Sequence, residues 1–515
     1  MRSLGAAHPR QTVRLIETHI SFVLLDGAYA YKIKKAVNLG FLDFTTLALR
    51  RHFCEEELRL NRRFAPQLYL DVIAVTCEGG LPTLGGSGAV IDVALRMRAF
   101  AQDGLWEQLI ERGGLEAKHV DQLAQSLCGL HRDATVSSSD SRFGEPAQLR
   151  VPMLETLDAL DTVLIESQRK RLADLRAWEA PAFTALQRHF ARRRTQGRVR
   201  ECHGDLHLGN VTLIDGQATM FDCLEFDAGL RCTDVMSDVA FMAMDLMRHA
   251  RSDLAYRFVN ATLECSGDYD GARVLRYYIV YRALVRAKVA ALRGAQAPRL
   301  HMGSQAGPAS DPVQAYLEVA CACIAPSPPV LFVAHGFSGS GKTIWTGRLL
   351  ESIGAIRIRA DVERKRLANL PPLTNTASEL RAGLYSSATR AATHQRLREA
   401  AKSVLRGGFH AILDATFLRA KPRDQARSLA QELGVRCVIL DFQASAATLR
   451  QRIAARTRLG NDASEAGLAV LDDQLTNHEP LGAHERADVL GINAEQPWSS
   501  ASLAAVWRAV SGVTT

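Results

Sequence analysis

The segment Gly336-Phe337-Ser338-Gly339-Ser340-Gly341-Lys342-Thr343 constrains this chain more than any other. It satisfies the pattern G-x-x-x-x-G-K-[ST] in full. An apolar run, Val330-Leu-Phe-Val-Ala334, leads directly into it, and a helical pattern from Thr343 to Leu350 leaves it. Strand, glycine loop and helix in that order let successive backbone N–H groups and a helix N-terminus converge on phosphates. Gly336, Gly339 and Gly341 allow the close backbone approach. Lys342 is expected to reach the β- and γ-phosphates and Thr343 to hold Mg2+.

The residues that follow alternate strand and helix. Ala355-Ile-Arg-Ile-Arg359 runs into Asp361, Phe409-His-Ala-Ile-Leu413 ends in Asp414, and Val435-Arg-Cys-Val-Ile-Leu440 comes next. Helical patterns over Arg390–Leu405 and Lys421–Leu433 separate them, which predicts a parallel sheet. Ligands of such sheets bind beyond the carboxyl ends of the strands, so Asp361, Arg364 and Asp414 are expected beside the glycine loop.

A second, unrelated signature lies upstream. His203-Gly-Asp205-Leu-His-Leu-Gly-Asn210, followed by Asp222, has the H-x-D-x-x-x-x-N spacing of a kinase-like catalytic loop with a downstream metal aspartate. In such a site Asp205 accepts or orients the acceptor hydroxyl, Asn210 and Asp222 hold Mg2+, and a strand lysine pairs with the phosphates and a helix glutamate. Val211–Ile214, the turn Asp215-Gly216 and Ala218–Phe221 predict a hairpin that keeps Asn210 near Asp222. Further upstream, Phe22–Leu25, Asp26-Gly27 and Ala28–Lys34 predict another, and Lys32 and Lys34 point to the same face of its second strand. Either lysine fits the nucleotide role. Glu57, in a helical pattern over Leu47–Phe64, is the candidate partner, with a solvated face as its alternative. A strand pair is expected within Leu70–Ala99, then mostly helix to Arg198 and again over Asp238–Arg293. Glu225 and Asp227 could extend the metal site or simply be solvated, Asp234 is expected to brace the catalytic loop, and His207 is not expected to act as a base.

Two phosphate-handling signatures require at least two domains, and 515 residues exceed what one hydrophobic core organises. The Gly-, Pro- and Ser-rich stretch Gly294–Pro312 and Pro326-Ser-Pro-Pro329 mark the connector, so the domains are expected over 1–310 and 329–515 with a linker over about 294–328. Met1–Arg10 lacks an apolar leader and no run is long enough to span a membrane, which predicts a cytoplasmic protein with no membrane partner. The ten scattered cysteines lack zinc-site spacing and are expected as reduced thiols. About 22 Lys and Arg stand against about 9 Asp and Glu over residues 321–460, whereas the tail beyond is acidic. Such a basic segment suits a polyanionic ligand, with a nucleic acid among the candidates.

The residues from Gly336 to Thr343, with Asp361-Val-Glu-Arg364, Asp414-Ala-Thr-Phe and Arg452-Ile-Ala-Ala-Arg456, resemble the P-loop kinases that include polynucleotide 5′-kinases and gluconate-type kinases. The resemblance implies Asp361 as general base on the acceptor hydroxyl, Arg364 gripping an acceptor phosphate, and Asp414 orienting Arg364. It also implies that Arg456, with Arg452, comes from a lid and neutralises the transferring phosphoryl group. A helix cap for Asp361 and solvated helix faces for the two arginines are the plainer roles. Residues 15–295, through H-G-D-x-x-x-x-N, resemble the aminoglycoside phosphotransferase and choline/fructosamine kinase group. With Thr18-His-Ile-Ser21, Tyr31-Lys-Ile-Lys-Lys35 and the P-loop half, the whole resembles bacterial two-domain aminoglycoside phosphotransferase-like/ATP-binding proteins. No G-x-G-x-x-G precedes the lysine strand, so Thr18–Ser21 would have to cover the phosphates. The implied fold is an α+β kinase-like domain followed by an α/β P-loop domain with a parallel sheet. The implied activity is a tandem ATP- and Mg2+-dependent kinase acting on hydroxyl acceptors. Alternatives are a nucleic-acid 5′-end kinase in the C-terminal half, or an ATP sensor whose N-terminal domain binds without turnover.

Overall fold

The computed structural model describes residues 13–40, 42–138, 140–296, 311–374, 386–459 and 463–511; most of the proposed connector, 297–310, lies outside these. The described residues fall into two compact units: those up to Asp158 with Gln187–Asp245, and Ala159–Leu186 with those from Leu246 on. This division differs from one placed at the Gly- and Pro-rich stretch.

The first unit opens with a six-stranded antiparallel sheet in the order β1-β2-β3-β6-β4-β5. Its strands are β1 Arg14–Glu17, β2 Ser21–Leu25, β3 Tyr29–Lys34, β4 Tyr69–Glu78, β5 Leu81–Leu84 and β6 Ala89–Arg98. The expected hairpin is present, with Val23 opposite Lys32 and Ser21 opposite Lys34. Thr18–Ser21 forms the turn from β1 to β2, closed by Thr18 N–H on Ser21 O at 2.9 Å. Helix α1, Leu47–Asn61, starts at Thr46, whose hydroxyl accepts from Leu49 N–H. It buries Cys54 and Leu58 against Ala30, Val93 and Leu95 of the sheet, the alternating inward residues of β3 and β6.

Helical structure follows: α2 Trp106–Glu111, α3 Ala117–Asp133, α4 Pro146–Val163 and α5 Glu166–Thr195. Beyond α5 come β7 Val199–Glu201, the hairpin β8 Val211–Ile214 and β9 Gln217–Met220, the short α6 Ala228–Arg231, β10 Cys232–Asp234 and α7 Val235–Arg248. The β8–β9 turn uses Asp215 and Gly216 at φ 49 and 74, the left-handed pair of a tight hairpin. Residues 239–244 of α7, Val-Ala-Phe-Met-Ala-Met, are fully buried. Asp238 and Asp245 bracket that run.

The second unit holds α8 Ser252–Ser266, α9 Ala272–Gln296 and α10 Pro312–Ile324, followed by a five-stranded parallel sheet. Its strands are β11 Val330–His335, β12 Ala355–Arg359, β13 His410–Asp414, β14 Arg436–Gln443 and β15 Val489–Asn493, in the order β12-β13-β11-β14-β15. Around it lie α11 Lys342–Ile353, α12 Ala360–Leu367, α13 Ser387–Arg406, α14 Ala420–Glu432, α15 Ala446–Leu459, α16 Leu468–Asn477 and α17 Ser500–Ser511. Strands β11 and β13 are buried along their whole length, as a sheet covered on both faces requires. Phe332, Leu349, Ile412, Val438 and Leu440 form the core of this sheet.

Among the described residues no helix is long and apolar enough to cross a membrane. All ten cysteines are free thiols.

Candidate active sites

In the first unit, the side-chain alternation of β3 sends Lys32 and Lys34 to one face, where α1 presents Glu57. Glu57 accepts from both, Oε1 from Lys32 and Oε2 from Lys34, each at 2.8 Å. Lys32 reaches on to Asp222 Oδ1 at 2.6 Å, while Lys34 pairs with Glu225 and packs over the Phe44 ring. Lys34 and Glu57 are fully enclosed; Lys32 keeps 13% exposure and its partner Asp222 keeps 41%. The two lysines thus have different surroundings: Lys34 lies between buried carboxylates, and Lys32 borders solvent beside Asp222. Burial opposes the Glu57 charge, but Lys32 and Lys34 more than offset it and hold its carboxyl at about 2. Burial likewise opposes the charge on Lys32, and Asp222 and Glu57 keep that ammonium protonated well above the usual lysine range. Glu225 is a buried ion-pair partner, and its burial raises its pKa. Asp227 caps α6 through Gly229 N–H.

Asp222 stands at φ 60, a left-handed conformation that aspartate tolerates. The Tyr69 hydroxyl accepts its N–H at 2.9 Å. Asn210 Nδ2 donates to Asp205 O at 2.9 Å and Oδ2 at 3.2 Å, tying together the two ends of the catalytic-loop motif. His203 is buried, its Nε2 meets Phe221 O at 3.0 Å, and burial lowers its pKa, so the ring is neutral and structural. His207 Nε2 lies 3.5 Å from Asp205 Oδ2, while its Nδ1 accepts Gly209 N–H.

The loop's brace is not Asp234. That carboxylate is occupied by the buried guanidinium of Arg193 at 2.6 and 2.8 Å and by Met236 N–H. Four residues on, one helical turn deeper, Asp238 accepts His203 N–H at 2.8 Å and Gly204 N–H at 2.9 Å, with His131 Nε2 at 3.0 Å. Burial raises the pKa of Asp238, and these partners bring it back down to about 2. Asp245 accepts Leu208 N–H at 3.0 Å. Two carboxylates inside an otherwise apolar helix were the available signal, since buried charges need partners.

In the second unit, Gly336 stands at φ 142, and a Cβ there would lie 2.8 Å from Phe442 O. Lys342 folds back over its own loop, donating to Gly336 O at 3.0 Å, Phe337 O at 2.7 Å and Ser340 Oγ at 3.3 Å. These acceptors are neutral, so burial lowers the lysine to about 8. Ser338 N–H is taken by Gln474 Oε1 of α16.

A cavity of about 1140 Å3 opens over the loop and gathers Asp361, Arg364, Asp414, Arg452 and Arg456 with Lys342 and Thr343. Within it the expected Asp414–Arg364 pairing does not form. Arg364 Nη1 donates instead to Asp361 Oδ1 at 2.7 Å, its neighbour one turn back on α12. Asp414, at the end of β13 beside β11, accepts Thr346 Oγ1 at 3.0 Å and faces Arg357 Nη1 at 3.9 Å. A side chain on α12 meets its i−3 neighbour at no entropic distance, whereas Asp414 is already engaged by α11 and β12. On α15, Arg452 Nη2 donates to Ala494 O at 2.9 Å, and Arg456 Nη2 to Ala466 O at 2.6 Å. The Arg452 Nη1 is buried without a hydrogen-bond partner among the described residues, close to Gly341. His394 of α13 packs edge-on against Phe417, and burial followed by Arg364, Arg398 and Arg390 lowers it to about 4.

A sequence model of the phosphotransferase enzyme family matches residues 51–275, and one of an AAA domain matches residues 331–481. An uncharacterized protein of Mycobacterium tuberculosis (strain ATCC 25618 / H37Rv) is 30% identical over 474 residues, 90% of this chain and 91% of the relative. Among solved structures, a choline/ethanolamine kinase family protein from Mesorhizobium loti is 12% identical, covers 64% of this chain and 94% of its own, and has a TM-score of 0.37. A gluconokinase from Sinorhizobium meliloti 1021 is 20% identical, covers 36% of this chain and 93% of its own, and has a TM-score of 0.25.

Proposed function

Since the chain belongs to the two-domain family of its mycobacterial relative, joining an aminoglycoside-phosphotransferase-type domain to a P-loop kinase-type domain, we propose that it is a tandem kinase. Each half transfers the γ-phosphoryl group of ATP to a hydroxyl acceptor. The observation that carries this reading is the 1140 Å3 cavity, which sets an acceptor-side carboxylate, Asp361, and two helix arginines around a complete P-loop.

The donor sets fit Mg2+, a hard cation that takes oxygen ligands: Asn210 and Asp222 in the first unit, and Thr343 with Asp414 alongside in the second. When bound, the ion neutralises phosphate charge. The protein's own part is positioning and electrostatics, as phosphoryl transfer requires. Lys32 in the first unit and Lys342 in the second hold the phosphates, each a buried or half-buried ammonium that a phosphate would serve as counter-charge. Asp205 and Asp361 take the proton of the acceptor hydroxyl. Arg452 and Arg456 neutralise the charge on the moving phosphoryl group.

The acceptor of the first unit is a small-molecule alcohol. In the second, Arg364 and Arg390 make a positive field on the acceptor side, which adds to burial in keeping His394 neutral and favours an anionic acceptor: a phosphorylated metabolite or a nucleic-acid 5′ end. Ten free thiols and the proposed ATP dependence support a reducing, ATP-rich compartment, the cytoplasm, as its location.

Full-length protein incubated with radiolabelled ATP against a panel of metabolites and 5′-hydroxyl oligonucleotides tests the reading, with Asp205→Asn and Lys342→Ala chains assigning each activity to its site. No transfer to any acceptor, with ATP bound at both sites, would favour the ATP-sensor alternative.

A further inference from the structure

We infer that Asn260 and Glu264, on a helix inside the phosphotransferase-family match, are positioning residues of the P-loop site. The inference rests on reading that site as a nucleotide site.

Strand β12 is the edge of the parallel sheet, so among the described residues its outward backbone groups have no strand to pair with. Helix α8 covers that edge. Asn260, 5% exposed, accepts Arg357 N–H on Oδ1 at 2.7 Å, fixing the middle of β12. The approach is close: at Gly354, in the turn before β12, an added Cβ would lie 2.6 Å from the Tyr256 ring of α8. What Asn260 fixes matters because of where Arg357 goes next. Its Nη1 donates to Thr343 O at 2.7 Å and Thr346 Oγ1 at 3.3 Å and lies 3.9 Å from Asp414 Oδ2. Thr346 in turn donates to Asp414. One guanidinium therefore ties the start of α11, which carries Thr343, to the carboxylate at the end of β13. Burial lowers the pKa of Arg357, and its Nε has no partner among the described residues. A cation held this tightly in a dry site has little freedom to move if its backbone is held.

Glu264, one turn further along α8, does the same for the acceptor side. Its Oε1 meets Arg359 Nη1 at 3.4 Å, and Arg359 is the residue from which α12, the helix of Asp361 and Arg364, starts. The last carbonyls of α8 add to this: Glu264 O and Cys265 O accept from Arg366 of α12, and Gly267 O from Arg396 of α13 at 2.6 Å. Cations at the negative end of a helix dipole are the favourable arrangement. Arg366 and Arg396 share the buried Glu363 at 3.1 and 2.9 Å, so α12, α13 and α8 are joined at one carboxylate.

The test uses the full chain carrying Asp222→Asn, so that the Mg2+-dependent part of nucleotide binding comes from the P-loop site. ADP is titrated calorimetrically with and without Mg2+. Asn260→Leu should reduce the Mg2+-dependent gain in ADP affinity about tenfold, the effect of losing one buried acceptor, and leave Mg2+-free affinity within about twofold. Asn260→Asp, which still accepts the Arg357 N–H, should restore the gain. A merely structural role predicts both affinities falling together and no rescue, and that result overturns the inference, as does an unchanged Mg2+ dependence in Asn260→Leu. If Asn260→Leu does not fold, Arg357→Met reads the same link from its other end and must show the same loss. A Lys342→Ala control that leaves ADP binding untouched would refute the nucleotide site itself, a failure distinguishable from that of Asn260.

Discussion

Arg364 donates to Asp361 across a single turn of α12, at 2.7 Å, and the pair stands on the cavity wall facing the P-loop. Burial would raise the pKa of Asp361; Arg364, Ser464 and Arg359 lower it below the usual carboxylate range. An ionised Asp361 is the form able to accept a hydroxyl proton, and Arg364 contributes most to keeping it ionised. Asp414 is engaged instead by Thr346 and Arg357.

Removing Lys342 should silence nucleotide binding in the P-loop half and leave the other half working. The lysine's depressed value, about 8, gives this a pH signature. Phosphate binding favours the ammonium form, so affinity at this site should fall as pH rises through and above 8, with proton uptake on binding there. Calorimetry of ATP binding in buffers of different ionisation enthalpy reads the proton count. Lys342→Ala should abolish the uptake, and a chain of this kind with full second-site turnover would contradict the assignment.

Lys32 and Lys34 should separate by mutation. Lys34→Met leaves Glu57 and Glu225 buried without their shared cation, and breaking such a pair by one partner costs about 3–5 kcal/mol of stability. Lys32→Met borders the cleft and retains the Lys34–Glu57 contact, so it should weaken nucleotide binding with a smaller loss of stability. The pH dependence follows from Glu57: its folded value of about 2 lies below its ordinary 4.5. Its contribution is therefore complete above 4.5 and disappears as pH falls toward 2. Denaturant unfolding against pH should show that loss in wild type and not in Glu57→Gln.

What was legible in the sequence was local. The glycine loop with its flanking strand and helix, the catalytic-loop motif and both Asp-Gly hairpins are each encoded within about twenty residues or fewer, and propensity and spacing suffice for them. The register of β3 put Lys32 and Lys34 on one face, but only the packing of α1 and the Glu225 loop separates their surroundings. Asp238 was hidden by distance: the backbone groups it satisfies lie 35 and 34 residues away. Asp414 lies beside the P-loop, but adjacency does not say which neighbour a carboxylate meets, and it pairs with Thr346 rather than Arg364. Asn260 was hidden in the same way as Asp238, 97 residues from the N–H it accepts.

Asp205 and Asp222 should fail in different ways. Asp205→Asn removes the proton acceptor and should lower transfer about 10²- to 10⁴-fold with little change in ATP affinity. Asp222→Asn removes a metal carboxylate and a Lys32 partner together, so Mg2+-dependent nucleotide binding itself should weaken. Steady-state kinetics with a validated acceptor, beside ADP titrations with and without Mg2+, separate the two. Wild-type behaviour of both variants would rule out the kinase-like reading of this unit.

Arg364 discriminates between acceptor classes in the P-loop half. A phosphorylated acceptor should take a charge-assisted, often bidentate contact from its guanidinium. Lysine keeps the charge and the pairing with Asp361 but loses the planar fork. Arg364→Lys should then raise the acceptor KM about 10- to 100-fold while ATP affinity holds, the range expected for one charge-assisted bond. With a neutral polyol, Arg364 serves only to keep Asp361 ionised, and the same substitution should leave KM nearly unchanged. Salt separates the two anionic acceptors: a nucleic-acid 5′ end neutralised by several arginines loses affinity steeply with ionic strength through counterion release, and a small phosphorylated metabolite far less so. Acceptor KM measured across salt for wild type and Arg364→Lys therefore has three distinct outcomes. A salt-insensitive KM unmoved by the substitution would exclude an anionic acceptor.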